Sequence, residues 1–233
     1  MDFEAKLEQF YNQLDLAGTL VIDIGAHVGR HAIPLAKKVG VEGVLYAFEP
    51  IPQIRMQLNE NIISSGLNNV VVYPFALSSA QGVSDFNYIP NLPGESGIKK
   101  RHIYNSNPGE ILIIQVGIFR LDNLVPLKNK ISFIKIDVEG AELDVLRGAK
   151  DLLKSSRPIV AFECGAASFL GYHDSPEEIF NIFSSLDYQI YSITGERIID
   201  SLSFYKTSHD QNYWDYLALP SGKEDLSRLL SNN

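Results

Sequence analysis

Short apolar runs alternate along the chain with longer segments in which apolar residues recur at helical spacing. The runs are rich in valine, isoleucine and aromatic residues, which favour strands. They lie at 19–24, 43–49, 70–75, 131–137, 157–163, near 188–193 and at 213–219. Strands that alternate with helices form parallel sheets covered on both faces. The pattern therefore predicts an α/β fold with a Rossmann-like, doubly wound and mostly parallel sheet.

Glycine, proline and serine mark the ends of the predicted helices. The first helix ends near Gly40. Pro52 in the first turn and Gly66 past the end bound the second helix. Ser175 as N-cap, followed by Pro176 at the first helical position, begins a helix that reaches about residue 186.

The helical period disappears from about 80 to 120, where glycine and proline accumulate and the β-like runs DFNYI and ILIIQVGIF appear. This region is predicted to be an insertion of hairpins and loops over the sheet edge. A helix over about 140–153 follows the strand at 131–137. A chain of 233 residues, 45% hydrophobic, fits a single domain. Its predicted parts are an N-terminal helical segment at 1–17, a core over about 19–220 and a frayed C-terminus at about 222–233.

Composition narrows the class of partner. Twenty Lys and Arg residues against twenty-eight Asp and Glu residues give a net charge of −8, which repels a phosphate backbone. The short basic cluster at 99–102 fits a solvated loop. Cys164 is the single cysteine, so no disulfide framework forms, and no apolar run approaches the roughly 18 residues of a membrane span. Without a leader-like N-terminus, we expect a cytoplasmic protein that binds neither nucleic acid nor membranes.

Carboxylates follow the predicted strands directly. They are Asp23, Glu49, Asp137 and Glu163. Ligands of open α/β sheets bind beyond the carboxyl ends of the strands, so these side chains are expected to share one crevice. Such a crevice suits a polar or cationic ligand.

The turn after the first strand indicates the kind of ligand. Gly25 and Gly29 permit a tight turn and close approach of a ligand to the main chain. Glu49, at the end of the next strand, is placed to accept the hydroxyls of a ribose. Two residues of this turn disfavour a pyrophosphate. His27 is bulky at a position where a dinucleotide fingerprint has glycine, and Asp23 is negatively charged. S-adenosylmethionine, which has an ammonium group, a ribose and no phosphate, fits this pattern.

The motifs D-I-G-A-H-V-G at 23–29, F-E-P at 48–50, A-L-S at 76–78 and I-K-I-D-V-E-G-A-E at 134–142 resemble those of the FkbM-type methyltransferases. The resemblance covers about residues 19–165, with a continuation at 215–220, and D-V-E-G-A-E is its most specific block. It implies S-adenosylmethionine as cofactor and a class I methyltransferase type of fold.

The resemblance also implies positions for the cofactor. The methionine part of the cofactor would be contacted by Asp23, Gly25, Ala26, His27 and Gly29, and the ribose would be contacted by Glu49. The adenine would pack on Pro50 and Ile51, with Ala76 and Leu77 at its edge. This chain departs from the family at His27, where Asn is usual, and near Arg30 and His31, where aromatic or small hydroxyl residues are usual.

The residues after the fourth strand indicate the acceptor. The (Asp/Asn)-Pro-Pro-aromatic clamp of enzymes that methylate a flipped base is replaced here by Asp-Val-Glu-Gly. A hydroxyl acceptor needs a base or a metal ion, and Asp137, with Glu163 beside it, is predicted to be the base; Mg²⁺ held by this pair is the alternative. Glu139 fits either a catalytic role or the start of the next helix, and Glu142 fits the latter.

Further candidates lie in the loops. His102 and His173 are alternative bases or solvated side chains, and Tyr88 and Tyr104 are candidates for stacking on an acceptor ring or for packing the insertion. G-E-S-G at 94–97 is a candidate lid. The predicted function is O-methylation of a hydroxyl on a small molecule or glycan, with a nicotinamide-dependent oxidoreductase or a non-catalytic nucleoside-binding scaffold as alternatives.

Overall fold

The computed structural model describes residues 2–99, 109–127, 129–165, 175–210 and 212–231. The strands of its central sheet are β1 (Leu20–Ile24), β2 (Val44–Phe48), β3 (Val70–Tyr73), β7 (Ile131–Ile136), β8 (Ile159–Glu163), β9 (Tyr188–Ser192), β10 (Arg197–Ile198) and β11 (Asp215–Pro220). Their order in the sheet is β10-β9-β11-β8-β7-β1-β2-β3. The order from β8 to β3 is wholly parallel, and β11 runs antiparallel between β8 and β9. The predicted α/β class with a mostly parallel sheet is confirmed.

Helices cover both faces of this sheet. They are α1 (Phe3–Asn12), α2 (Ala32–Val39), α3 (Pro52–Ser64), α4 (Leu121–Leu124), α5 (Glu142–Arg147), α6 (Lys150–Ser156), α7 (Pro176–Ser185), α8 (Ser201–His209) and α9 (Arg228–Ser231). One apolar core lies under α1, α2 and α3, and the other lies under α5 to α8. The N-cap predicted at Ser175 is present, since its hydroxyl accepts the Glu177 N–H at 3.3 Å.

The predicted insertion forms a second, smaller sheet of β4 (Phe75–Leu77), β5 (Gly82–Tyr88) and β6 (Leu112–Phe119). β5 and β6 form an antiparallel pair, as expected for hairpin structure. The strand predicted at 70–75 is interrupted at Pro74, which has no N–H to donate to a ladder. The chain leaves the large sheet there and enters the small one.

Two predicted boundaries are wrong. The helix expected over 140–153 is two helices, because Asp122 takes the bonds that would continue it: its N–H donates to the Gly148 carbonyl at 3.0 Å, and its carboxylate accepts the Leu152 N–H at 2.9 Å. The C-terminus is not frayed as far as residue 231. A 3₁₀ turn at Glu224–Ser227 and helix α9 follow β11, and Leu230 is buried in the core beneath α1.

No helix in the described part of the chain is both long and apolar enough to span a bilayer.

Candidate active site

The turn after β1 brings two strands into close contact. Gly25 has φ +80°, and a Cβ added there would lie 1.7 Å from the Asp137 carbonyl oxygen. The N–H groups of Gly25 and Ala26 donate to the Phe48 carbonyl at 3.1 and 3.0 Å. Glycine is therefore required, because the tips of β1 and β7 could not approach around a side chain.

The same turn orients Glu49, which is 4% exposed. Its carboxylate oxygens accept the backbone N–H groups of His27 at 3.0 Å and of Ile51 at 2.8 Å. Burial raises the pKa of Glu49 to about 7, although these hydrogen bonds act in the opposite direction. The Glu49 carboxylate is thus held in one orientation at the tip of β2.

The register of the sheet stacks the polar side chains of the site in two rows on one face. Asp23 lies directly opposite Lys135, and this pair is flanked by Ala47 and Ala161 on the next strands. Residues two positions further along project to the same side, at the carboxyl edge. This edge row is Glu49, Gly25, Asp137, Glu163 and Asp215. Both rows rest on the core under α1 to α3.

Asp23 is 1% exposed, and neither of its carboxylate oxygens has a hydrogen-bond partner in the described chain. The nearest cation is the Lys135 ammonium, 3.8 Å from Oδ1. Burial raises the pKa of Asp23, and the charge of Lys135 opposes this effect. A buried carboxylate without hydrogen bonds is costly, so this position favours a ligand that donates to it.

Asp137 is better satisfied. Lys135 Nζ lies 2.9 Å from its Oδ2, and Glu163 hydrogen-bonds to it. Burial alone would raise the pKa of Asp137, but Lys135 and the Glu163 hydrogen bond lower it. Burial and the neighbouring carboxylates hold the pKa of Glu163 well above its usual range. The pair therefore shares a proton, which Glu163 holds and donates to the Asp137 carboxylate.

A cavity of about 350 Å³ opens over these rows, within the size range of small-molecule sites. Asp23, Glu49 and Asp137 lie on its wall, together with apolar Pro50, Ile51, Ala76 and Leu77. The insertion supplies further lining through Phe86, Gly94, Ser96 and Ile98, and α1 supplies Glu4. The cavity wall thus combines apolar and charged side chains.

Comparison with known proteins identifies the fold and the family. The family model of the methyltransferase FkbM domain matches residues 23–190. The chain belongs to this family. The FkbM domain here is also similar in fold to the crystal structure of methyltransferase FkbM from Methylobacillus flagellatus, with a TM-score of 0.52 and 14% identity, covering 89% of this chain and 45% of the other.

Curated relatives share part of this FkbM domain. Methyltransferase sdnD of Sordaria araneosa is 29% identical over an alignment of 157 positions, which covers 56% of this chain and 60% of the relative. The hexuronic acid methyltransferase AglP of Haloferax volcanii is 32% identical over 135 residues, which are 57% of this chain and 51% of the relative. The matched part is thus about half to three fifths of the length of these relatives.

The predicted cofactor positions in the FkbM domain largely meet at one place. On the cavity wall are Asp23, Gly25, Ala26, His27, Glu49, Pro50, Ile51, Ala76 and Leu77. Gly29 is not on that wall; a Cβ there would lie 2.9 Å from Leu58 Cδ1, so this glycine permits packing of the turn against α3.

The predicted catalytic carboxylates separate into two positions. Asp137 and Glu139 line the cavity, whereas Glu163 lies behind Asp137. Oxygens of these three carboxyl groups lie within 4.8 Å of one another, as the Mg²⁺ alternative requires. However, Lys135 already occupies one oxygen of Asp137. Glu142 has the structural role expected of it, since its Oε1 accepts the N–H groups of Val138 and Gly140.

Loop candidates have less support. Tyr88 is 8% exposed and packs inside the insertion. Tyr104, His102, His173 and most of the basic cluster at 99–102 lie outside the described residues. G-E-S-G at 94–97 lies at the cavity, where Gly97 pairs with Asn87 of β5.

Sequence reasoning missed three contributors. Lys135 is a buried lysine within a mostly apolar strand, an anomaly that marks a buried partner for carboxylates. Asp215 reaches the edge row because β11 is antiparallel and begins where the parallel strands end. Helix α1 places Glu4 at the cavity and bonds it to His31, which also contacts the Tyr11 hydroxyl at 3.2 Å.

Proposed function

We propose that this protein is an S-adenosylmethionine-dependent methyltransferase that methylates a hydroxyl group of a small molecule or glycan. The observation that carries the proposal is the buried Asp23 carboxylate, which accepts no hydrogen bond from the described chain and lies in the same cavity as the backbone-oriented Glu49. Family membership supports the reaction class.

The residues present fit the donor. Asp23 requires a hydrogen-bond donor, and an ammonium group provides both charge and N–H groups. Glu49 retains lone pairs for the two ribose hydroxyls after accepting its backbone N–H groups. Ile51, Ala76 and Leu77 offer an apolar compartment for adenine. When bound, S-adenosylmethionine supplies a methyl group activated on a sulfonium.

The part of the cavity around Asp137 and Glu163 is the proposed acceptor half, where the proton of the acceptor hydroxyl is removed. Asp137 is ionised, lines the cavity and is held by Lys135, so it is placed to take the proton of an acceptor hydroxyl. Glu163 supports that carboxylate from behind with a hydrogen bond. Acceptor alignment contributes as well, since the displacement requires the hydroxyl oxygen to lie in line with the methyl group.

Calorimetric titration with S-adenosylmethionine tests the donor assignment. Wild type is expected to bind with micromolar affinity, and Asp23→Asn to bind about 30-fold or more weakly because a charge-assisted contact is lost. Glu60→Ala is the matched control, because Glu60 is an exposed carboxylate on α3 away from the cavity. Equal affinity in wild type and Asp23→Asn would contradict the donor site, and saturable binding of a nicotinamide dinucleotide instead would favour the oxidoreductase alternative.

Incubation with a cell extract and isotopically labelled donor tests the acceptor class. Mass spectrometry is expected to find a product that gains one labelled methyl group in an ether linkage. The relative AglP is named a hexuronic acid methyltransferase, which makes sugar acceptors the first to test. A labelled ester or amine would contradict hydroxyl methylation while leaving the donor assignment intact.

A further inference from the structure

Arg30 is a cation on the cavity wall and belongs to neither of the two rows of polar side chains. It follows the glycine turn and precedes α2, which begins at Ala32. Its side chain is 47% exposed, and Nη1 donates to Glu8 of α1 at 2.5 Å. An ion pair as exposed as this one contributes little to stability, so Arg30 can bind a ligand at little cost.

The other described basic side chains at the cavity are either bonded to protein groups or neutral. Lys135 is held by Asp137 at 2.9 Å and lies 3.8 Å from Asp23. His31 bonds to Glu4 and to the Tyr11 hydroxyl. Burial lowers the pKa of His27, which keeps its imidazole neutral. Arg30 is therefore the described cavity cation best able to accept an additional anion.

The donor presents such an anion. The amino acid end of S-adenosylmethionine carries an ammonium and a carboxylate on one carbon, and Asp23 can satisfy the ammonium alone. Without a partner inside the cavity, the carboxylate of the donor would lose its hydration and would be repelled by the carboxylates of the edge row. A planar guanidinium binds a carboxylate with two parallel N–H donors.

We propose that Arg30 binds the α-carboxylate of the methyl donor, while Asp23 binds its ammonium. This inference rests on the proposed function. Glu8 holds the guanidinium from the outside, and the contacts of His31 with α1 keep that helix against the turn. Helix α1 is thereby part of the donor site of this chain. Arg30 lies near the positions where the family usually has aromatic or small hydroxyl residues.

Two ligands that differ only at the amino acid end test the inference. S-adenosylhomocysteine carries the ammonium and the carboxylate, whereas 5′-methylthioadenosine lacks both. In calorimetric titrations, Arg30→Met is expected to weaken S-adenosylhomocysteine binding about tenfold and to leave 5′-methylthioadenosine within about twofold of wild type. Arg30→Lys keeps the charge and is expected to recover about half of the loss on a logarithmic scale.

Arg228→Met is the matched control, since Arg228 is an exposed arginine paired with Asp225 outside the cavity. It is expected to change neither affinity. Parallel weakening of both ligands in Arg30→Met, or no change in either, would overturn the inference. A selective loss in Lys135→Met with Arg30→Met unaffected would assign the carboxylate to Lys135 and overturn it too. Wild type that binds neither ligand would instead contradict the proposed function itself.

Discussion

The proposed function divides the cavity into a donor half, with Asp23 and Glu49, and an acceptor half, with Asp137 and Glu163, and these proposed halves balance the charge of their buried carboxylates in opposite ways. In the donor half, Asp23 has no hydrogen-bond partner in the described chain, and burial raises the pKa of Glu49 to about 7. In the acceptor half, Asp137 is neutralised by Lys135 and bonded to Glu163, and its pKa is lowered. The donor half therefore has a deficit that a cationic ligand relieves, whereas the acceptor half is already balanced.

This difference bears on what each half can bind. A balanced acceptor half has no need of a charged acceptor, and the proton of a neutral hydroxyl can pass to Asp137 without any other ion entering. A cation is required only beside Asp23. The contrast is consistent with a cationic methyl donor and a neutral hydroxyl acceptor.

Gly25→Ala should disrupt both halves and have the largest effect. The new Cβ would overlap the Asp137 carbonyl at 1.7 Å, and φ of +80° is strained for alanine. We expect the free energy of unfolding, measured in urea, to fall by about 4 kcal/mol or more and donor binding to be lost. Gly66→Ala also has positive φ but meets no atom within 4 Å, and it should cost about 1 kcal/mol. Equal losses in the two variants would contradict the close approach of β1 and β7.

Asp137→Asn should lower turnover while leaving donor binding nearly unchanged. The amide cannot take the acceptor proton, so turnover of labelled methyl from donor to the identified acceptor should fall about 10²- to 10⁴-fold. Donor affinity, set by Asp23 and Glu49, should stay within about threefold of wild type. Unchanged turnover would assign the acceptor proton to another base, whereas a wild type without any turnover would favour the scaffold alternative.

A chelator distinguishes a base from a metal site at the same carboxylates. With Lys135 on Asp137, turnover should survive excess EDTA unchanged. A loss that Mg²⁺ restores would show that Asp137, Glu139 and Glu163 act as ligands, as their spacing of at most 4.8 Å permits.

Donor affinity should depend on pH through the donor half. Glu49 must be ionised to accept both ribose hydroxyls, and its pKa is about 7 in the unliganded protein. The affinity is therefore expected to rise about tenfold between pH 6 and pH 8, and the raised pKa of Asp23 acts in the same direction. Titrations at several pH values should show a much smaller rise in Glu49→Gln. An equal rise in that variant would assign the titration elsewhere.

Sequence patterns predict some residues of the site better than others. Asp23, Gly25 and Glu49 belong to contiguous motifs at strand ends, where spacing alone indicates their neighbours. Lys135 acts through cross-strand register with Asp23, and Asp215 through the direction of β11. Neither strand register nor strand direction can be deduced from a single chain's local pattern.

The sequence pattern fails to predict helices α8 and α9 for a similar reason. Helix α8 buries only Phe204 and Ser208, so its apolar period is too weak to predict a helix. Helix α9 follows residues that resemble a polar tail, and only its packing beneath α1 reveals the role of Leu230. Contacts between separate segments decide both outcomes, since α8 packs against α7 and α9 packs against α1.

His27→Asn should have the smallest effect and would show whether the main chain or the side chain of the turn matters. His27 has φ +48°, a conformation that asparagine tolerates, and its backbone N–H holds Glu49 at 3.0 Å. Its buried Nε2 has no hydrogen-bond partner in the described chain. Because asparagine keeps this backbone conformation and the N–H that orients Glu49, donor affinity should stay within about threefold of wild type in calorimetric titrations. His27→Val, β-branched at positive φ, should lose about 1–3 kcal/mol of stability. If His27→Asn weakened binding much more than this, the imidazole itself would contact the donor, and the donor half would depend on a side chain that the family usually lacks.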